Sequence, residues 1–156
     1  ILEMTFQVQT LSPWFSNIRK RLIKTPKIYA NDSGQASYLM GIASPDHLMT
    51  HPGFGALLET WVWAEIRKLL SMTSGIERHF YRTHLGKEVD FLLNQGMNYW
   101  GIECMASTSV SLSDCKGITD MIEAIGPHAK GLVLYAGNEV IALSDRIIAV
   151  PLRILI

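Results

Sequence analysis

Two acids set one strand apart are the residues best placed to do chemistry in this chain. Gly86-Lys87-Glu88-Val89-Asp90-Phe91-Leu92-Leu93, a turn around Gly96, and Tyr99-Trp100-Gly101-Ile102-Glu103-Cys104-Met105-Ala106-Ser107 read as a two-stranded ribbon. Asp90 lies on its first strand and Glu103 on its second. A carboxylate on an otherwise apolar strand is costly to bury alone. Two that face each other across neighbouring strands can share a divalent cation through their hard oxygen ligands. The period of two puts Asp90, Leu92 and Asn94 on one face. Taken singly, each acid reads as a surface or ion-paired residue; taken together, they favour a shared cation.

A third acid comes from a helix. Phe54, Leu57, Leu58, Trp61, Val62, Ile66, Leu69 and Leu70 recur at helical spacing between Gly53 and Ser71. With roughly 100° per residue, Glu59 falls beside this apolar stripe, next to Val62 and Ile66, and points at the edge of a sheet. Glu65 falls within the stripe, where it needs a partner such as Arg82. Arg67 and Lys68 close the helix, where cations suit its dipole.

The elements that must position these acids follow from the same reading. Residues 1–30 are an apolar entry followed by extended chain punctuated by Ser12-Pro13 and Thr25-Pro26. Asp32-Ser33-Gly34 opens a short helix over Gln35 to Met40. After the long helix come strands over Glu77 to His84, Glu88 to Gln95 and Tyr99 to Ser107, arranged as a meander. A second long helix covers Leu112 to Ile125 and stops at Gly126-Pro127. Strands over Gly131 to Ala136 and Val140 to Leu143 and an extended tail from Ile147 to Ile156 complete the chain. The predicted class is α/β: a mixed sheet flanked by helices, in the order helix, three-strand meander, helix, strands.

Composition narrows the class further. The chain has 156 residues, 48% of them apolar and 18% charged, which suits one ordinary core rather than disorder. The net charge is zero, so the whole chain exerts no general pull on polyanions. One stretch does: Arg19, Lys20, Arg21, Lys24 and Lys27 lie within 11 residues, Asn17 to Lys27, that contain no acid, and read either as a solvated loop or as a phosphate-contacting ribbon. No apolar run is long enough to span a bilayer, so no membrane partner is expected. Cys104 and Cys115 are too few for a disulfide framework and read as buried thiols of a protein from a reducing, cytoplasmic compartment. His47 and His51 lie one helical turn apart but lack a third ligand for zinc. Trp61, Trp63 and Trp100 read as core or partner-facing rather than base-stacking. The chain starts at Ile1, which points to a piece of a longer protein.

Glu59 on a helix, Asp90 on one strand and Glu103-Cys104-Met105 on the next resemble the pattern of the PD-(D/E)XK nuclease superfamily, the restriction-endonuclease-like fold. The departure is Met105, which stands where that pattern has lysine. A narrower resemblance covers nearly the whole chain. Leu11-Ser12-Pro13-Trp14, the run Lys20 to Tyr29, Asp32-Ser33-Gly34, His51-Pro52-Gly53 through Glu59, Tyr81-Arg82-Thr83, Gly86 to Phe91, Ile102-Glu103 and Val150-Pro151-Leu152 are similar to a C-terminal domain of unknown function in bacterial and archaeal AAA-type ATPases.

The resemblance implies a site in which Asp90, Glu103 and the backbone carbonyl of Cys104 hold Mg²⁺, with Glu59 completing the acids. It implies residues 1–30 as the end of a winged-helix segment with its basic linker, residues 31–156 as the nuclease-like domain, and an upstream ATPase as partner. No Gly-rich phosphate loop is present, so no ATP site is expected in this chain. With Met105 neutral, the reading is a nucleic-acid-binding or regulatory module without efficient cleavage. Two alternatives stand beside it. One is an active Mg²⁺-dependent phosphodiesterase in which Lys116 or Lys87 supplies the ammonium; Arg82 is a further cation within reach. The other is a protein–protein interaction domain.

Overall fold

The computed structural model describes residues 1–15, 25–83 and 86–156. It is a mixed α/β fold built on a six-stranded sheet, with a separate two-stranded ribbon at the N-terminal end. The ribbon pairs β1 (Val8–Leu11) antiparallel with β2 (Lys27–Ala30). Two short helices follow, α1 (Ser33–Leu39) and α2 (Pro45–Thr50). Asp32 caps α1 through the Gln35 N–H, and Ser44 caps α2 with Pro45 at its first position. The sequence reading missed α2, although that cap and proline are a start signal.

The long helix α3 (Phe54–Leu69) buries Leu57, Val62 and Ile66 of the predicted stripe, together with Thr60 and Trp63, which the stripe does not include, while Leu69 is exposed. Strands β3 (Glu77–Arg82), β4 (Glu88–Gln95) and β5 (Asn98–Met105) form the antiparallel meander. The predicted second helix divides into a 3₁₀ turn at Leu112–Asp114 and α4 (Lys116–Ile125), which ends at Gly126 with φ +106°, a conformation that favours glycine. Then β6 (Ala129–Tyr135) pairs parallel with β5, as a strand returning after a helix can. A hairpin of β7 (Ile141–Ser144) and β8 (Ile147–Pro151) closes the sheet, with β8 parallel to β6, and the tail ends in a 3₁₀ turn at Leu152–Leu155. The sheet order is β3-β4-β5-β6-β8-β7. Among the described residues no helix is long and apolar enough to cross a membrane.

The sheet has a core on each face. On one, Ile118, Met121 and Ile122 of α4 pack on Val89, Leu92, Val133 and Ala149. On the other, Val62, Trp63 and Ile66 of α3 pack on Phe91, Leu93, Ile102 and Leu134. The ribbon belongs to this second core: Leu11 is 2% and Tyr29 4% exposed. Tyr29, Trp63 and Phe91 form an aromatic group in which Trp63 stacks on Phe91 at 5.1 Å. Beyond β1, the Trp14 N–H donates to the Phe80 carbonyl and the Phe80 N–H to the Ser12 carbonyl, which fastens the ribbon to the edge strand β3. Leu11 of β1 and Tyr29 of β2 therefore pack in the same core as α3 and the sheet.

Candidate functional site

Asp90 owes its position to a break in strand alternation. His79 faces Leu92 and Tyr81 faces Val89, so three steps along β4 match two along β3. That is a β-bulge, a device that re-aims a side chain. Its mark is visible in the cores: Val89 joins the α4 side and Phe91 the α3 side. The strict period of two expected from the sequence fails at Asp90 for this reason. The β4–β5 register ends at Phe91 opposite Ile102. Beyond it, Asp90 Oδ2 accepts the Cys104 N–H at 2.9 Å, so a carboxylate takes over where the ladder stops.

The other oxygen of Asp90 faces an ammonium. Lys27, the first residue of β2, places Nζ 2.5 Å from Glu59 Oε1, 2.5 Å from Glu88 Oε1 and 3.7 Å from Asp90 Oδ1. The Tyr29 hydroxyl donates to the same Glu59 oxygen, and Arg82 holds the second oxygen of Glu88 at 2.5 Å. The four side chains of Lys27, Glu59, Glu88 and Asp90 are only 17–26% exposed. Lys27 also lies 5.5 Å from the centre of the Phe80 ring.

Burial works against the charge on Lys27. Hydrogen bonds to Glu59 and Glu88 and the charges of Glu59 and Asp90 outweigh it, and its pKa lies above the ordinary 10.5. Burial pushes Asp90 up from 3.8 to about 6, and the charge of Glu59 adds to this; the Cys104 N–H and Lys27 offset only part. Both partners rise because the 3.7 Å contact is the weakest of the three that Lys27 makes. Burial also pushes up the Tyr29 phenol, with Glu59 next to it.

Glu103 lies close enough to feel the charge of Asp90 but faces α4 instead. Its carboxyl accepts the Ile118 N–H in the first turn of that helix. Burial, followed by the charge of Asp90, raises its pKa from 4.5 to about 8, against the pull of the Ile118 N–H. At neutral pH this acid keeps its proton for the most part. Gly117 makes the approach possible: a Cβ there would collide with the Glu88 carbonyl oxygen and stand 2.6 Å from Glu103 Oε1. Met105, two residues on, packs against the α4-side core.

The sequence-predicted residues thus divide. Glu59, Asp90 and Glu103 share one neighbourhood, since Asp90 shifts with Glu59 and Glu103 with Asp90. The surrogate lysines do not join them. Lys87 Nζ is 2.7 Å from Asp120, and Lys116 is exposed at the start of α4. Lys27, read as a phosphate contact, spends its charge inside the fold; Arg19, Lys20, Arg21 and Lys24 lie outside the described residues. Arg82 pairs with Glu88, not Glu65, which pairs with Lys68 at 2.5 Å. Glu88 and Tyr29 were missed. A charged residue opening each strand, at Lys27 and Glu88, is a signal only once the ribbon is known to fold back.

The arrangement does not fit Mg²⁺ at Asp90. One oxygen accepts a backbone N–H and the other faces an ammonium, while Glu103 turns away and holds its proton. Among the described residues no three Asp, Glu, His or Cys side chains are grouped to hold a metal ion. A cleft of about 530 Å³ lies elsewhere, lined by Asn31, Trp61, Arg67 and Ser71. A cavity of about 200 Å³ does open on Lys27, Tyr29 and Glu59.

The class is mixed α/β: a helix that carries Glu59, a three-strand meander that carries Glu88, Asp90 and Glu103, and a second helix behind Glu103. Residues 54–155 match the domain of unknown function DUF4143, and the chain belongs to that family, which is commonly the C-terminal domain of AAA-ATPase-like proteins. Residues 1–46 match a second domain of unknown function, DUF8612. The chain is 31% identical over 146 residues to an uncharacterized protein of Mycobacterium tuberculosis, and to the same degree to an uncharacterized protein of Mycobacterium bovis. Each alignment covers 92% of this chain and 31% of the relative, so the chain spans less than a third of the length of the curated relatives it matches. No solved structure matches it significantly.

Proposed function

We propose that this chain is a restriction-endonuclease-like domain that has lost efficient cleavage and serves a longer, ATPase-type protein as a nucleic-acid-binding or regulatory module. The order of elements and the meeting of Glu59, Asp90 and Glu103 about one sheet support the nuclease-like ancestry. The observation that carries the loss of cleavage is Met105: a neutral side chain packed into core beside Glu103, where the pattern calls for an ammonium. Such a group stabilises charge on a phosphate as it is attacked, and its removal costs on the order of a hundredfold in rate or more. Arg19, Lys20, Arg21 and Lys24 supply phosphate contacts in this reading. Exposed Tyr38, Leu39 and Met49 on α1 and α2 supply apolar surface for the rest of the longer protein.

The test is incubation of the chain with single- and double-stranded DNA and RNA in Mg²⁺ or Mn²⁺. The expected result is salt-dependent binding, weakened when the four basic residues become alanine, with no turnover above background. Turnover that disappears in Asp90→Ala overturns the reading in favour of a phosphodiesterase.

A further inference from the structure

Glu59, Glu88 and Asp90 reach one point from a helix and a strand, and three carboxylates held that close need a cation. We propose that Lys27 is that cation: a built-in counter-ion that replaces a metal and keeps divalent ions off Asp90. Its ammonium meets Glu59 and Glu88 at 2.5 Å each and Asp90 at 3.7 Å. A divalent ion on Asp90 Oδ1, at the roughly 2.1 Å that Mg²⁺ requires, would lie against this ammonium, and the two cations would repel. Asp90 Oδ2 and Glu88 Oε2 are engaged as well, the first by the Cys104 N–H and the second by Arg82.

The ammonium cannot drift off, because its strand is fixed. Lys27 pairs with buried Leu11 across the ribbon, and Tyr29, two residues on, is buried among Trp63 and Phe91. A tethered cation has an effective concentration far above that of a free ion. The contact also crosses the two family regions: Lys27 and Tyr29 lie within residues 1–46, and Glu59, Glu88 and Asp90 within residues 54–155. The N-terminal region thus supplies the charge that the acids of the other region require.

The inference concerns the same acids as the proposed function but is read by metal uptake rather than by cleavage. The experiment is a Mn²⁺ titration, followed by the loss of the free-ion electron paramagnetic resonance signal, on the whole chain and on Lys27→Met, Lys27→Arg, Asp90→Asn and the Lys27→Met/Asp90→Asn double variant. Wild type and Lys27→Arg should show no uptake that Asp90→Asn removes. Lys27→Met should bind one Mn²⁺ roughly tenfold tighter or more, lose that binding in the double variant, and gain melting temperature with Mn²⁺ where wild type does not. Uptake by wild type that Asp90→Asn abolishes overturns the proposal, and this arm stands even if Lys27→Met fails to fold. A folded Lys27→Met that gains no Mn²⁺ overturns it too. A wild type that takes up Mn²⁺ through Asp90 without cutting nucleic acid sinks this inference alone; one that cuts nucleic acid while Asp90 takes up no ion sinks the proposed function alone.

Discussion

The two ends of the acid group solve one problem in opposite ways. On the α3 side, Glu59, Glu88 and Asp90 sit around a lysine, with an arginine and a tyrosine behind it. On the α4 side, Glu103 meets one backbone N–H, and among the described residues no cationic side chain reaches it. At the first end a cation is carried to the acids by another segment. The second responds by holding its proton. Position in the sheet alone does not decide which way a buried acid goes; the presence of a partner does.

Removing the cation should break this contrast most severely. Lys27→Met leaves three partly buried carboxylates without their shared partner and should cost on the order of 3 kcal/mol in urea unfolding at pH 7. A loss under about 0.5 kcal/mol would mean that water already screens the acids.

The second end is tested by filling its space. Gly117→Ala drives a methyl group into the Glu88 carbonyl and to within 2.6 Å of Glu103 Oε1. About 2 kcal/mol should be lost, measured the same way, as strand and helix are forced apart. An unchanged midpoint would show that α4 can slide away freely.

The proton on Glu103 gives a pH signature. Its pKa is higher in the fold, about 8 against 4.5, so the unfolded chain releases the proton first as pH rises. The contribution of Glu103 to stability is therefore full below pH 4.5 and is lost as pH climbs to about 8. Asp90 acts with the same sign over a lower window, from 3.8 to about 6. Glu103→Gln should flatten the upper part of the curve and raise stability at pH 8.5 by on the order of 1–2 kcal/mol. A slope that persists in Glu103→Gln would assign the titration to another group.

The smallest effect is on thiol chemistry. Burial raises Cys104 well above its usual value and Cys115 to about 11, with negative neighbours adding to both. Native protein at pH 8 should resist iodoacetamide, and urea should expose both thiols. Fast labelling of either cysteine in the native state would mean that its layer opens readily.

Much of the scaffold was legible because it rests on local pattern. Leu57, Val62 and Ile66 announce α3 by their spacing, and Gly96 and Gly126 mark the ends of elements. Asp90 and Glu103 stand out as acids in apolar strands. The rest depended on contacts remote in sequence. Lys27 lies in a basic stretch and looked like part of a surface; only the pairing of β1 with β2, and the packing of Tyr29 on Phe91, carry it to Glu59, 32 residues on. Lys87 and Lys116 were close to the acids in sequence, yet Asp120 claims the first and the second is exposed. Glu88 gave no signal of its own, because its partners arrive from two other strands. The bulge was invisible because hydrophobic patterning does not reveal an extra residue opposite Phe80.

That extra residue also makes the acid group easy to lose. Deletion of Val89 alone would restore even pleating to β4, turn Asp90 over with its neighbours, and leave every charged side chain of the group still encoded. Descent could silence this domain through its reading of the pleat, without altering a single functional group, and a scan for retained acids would not notice.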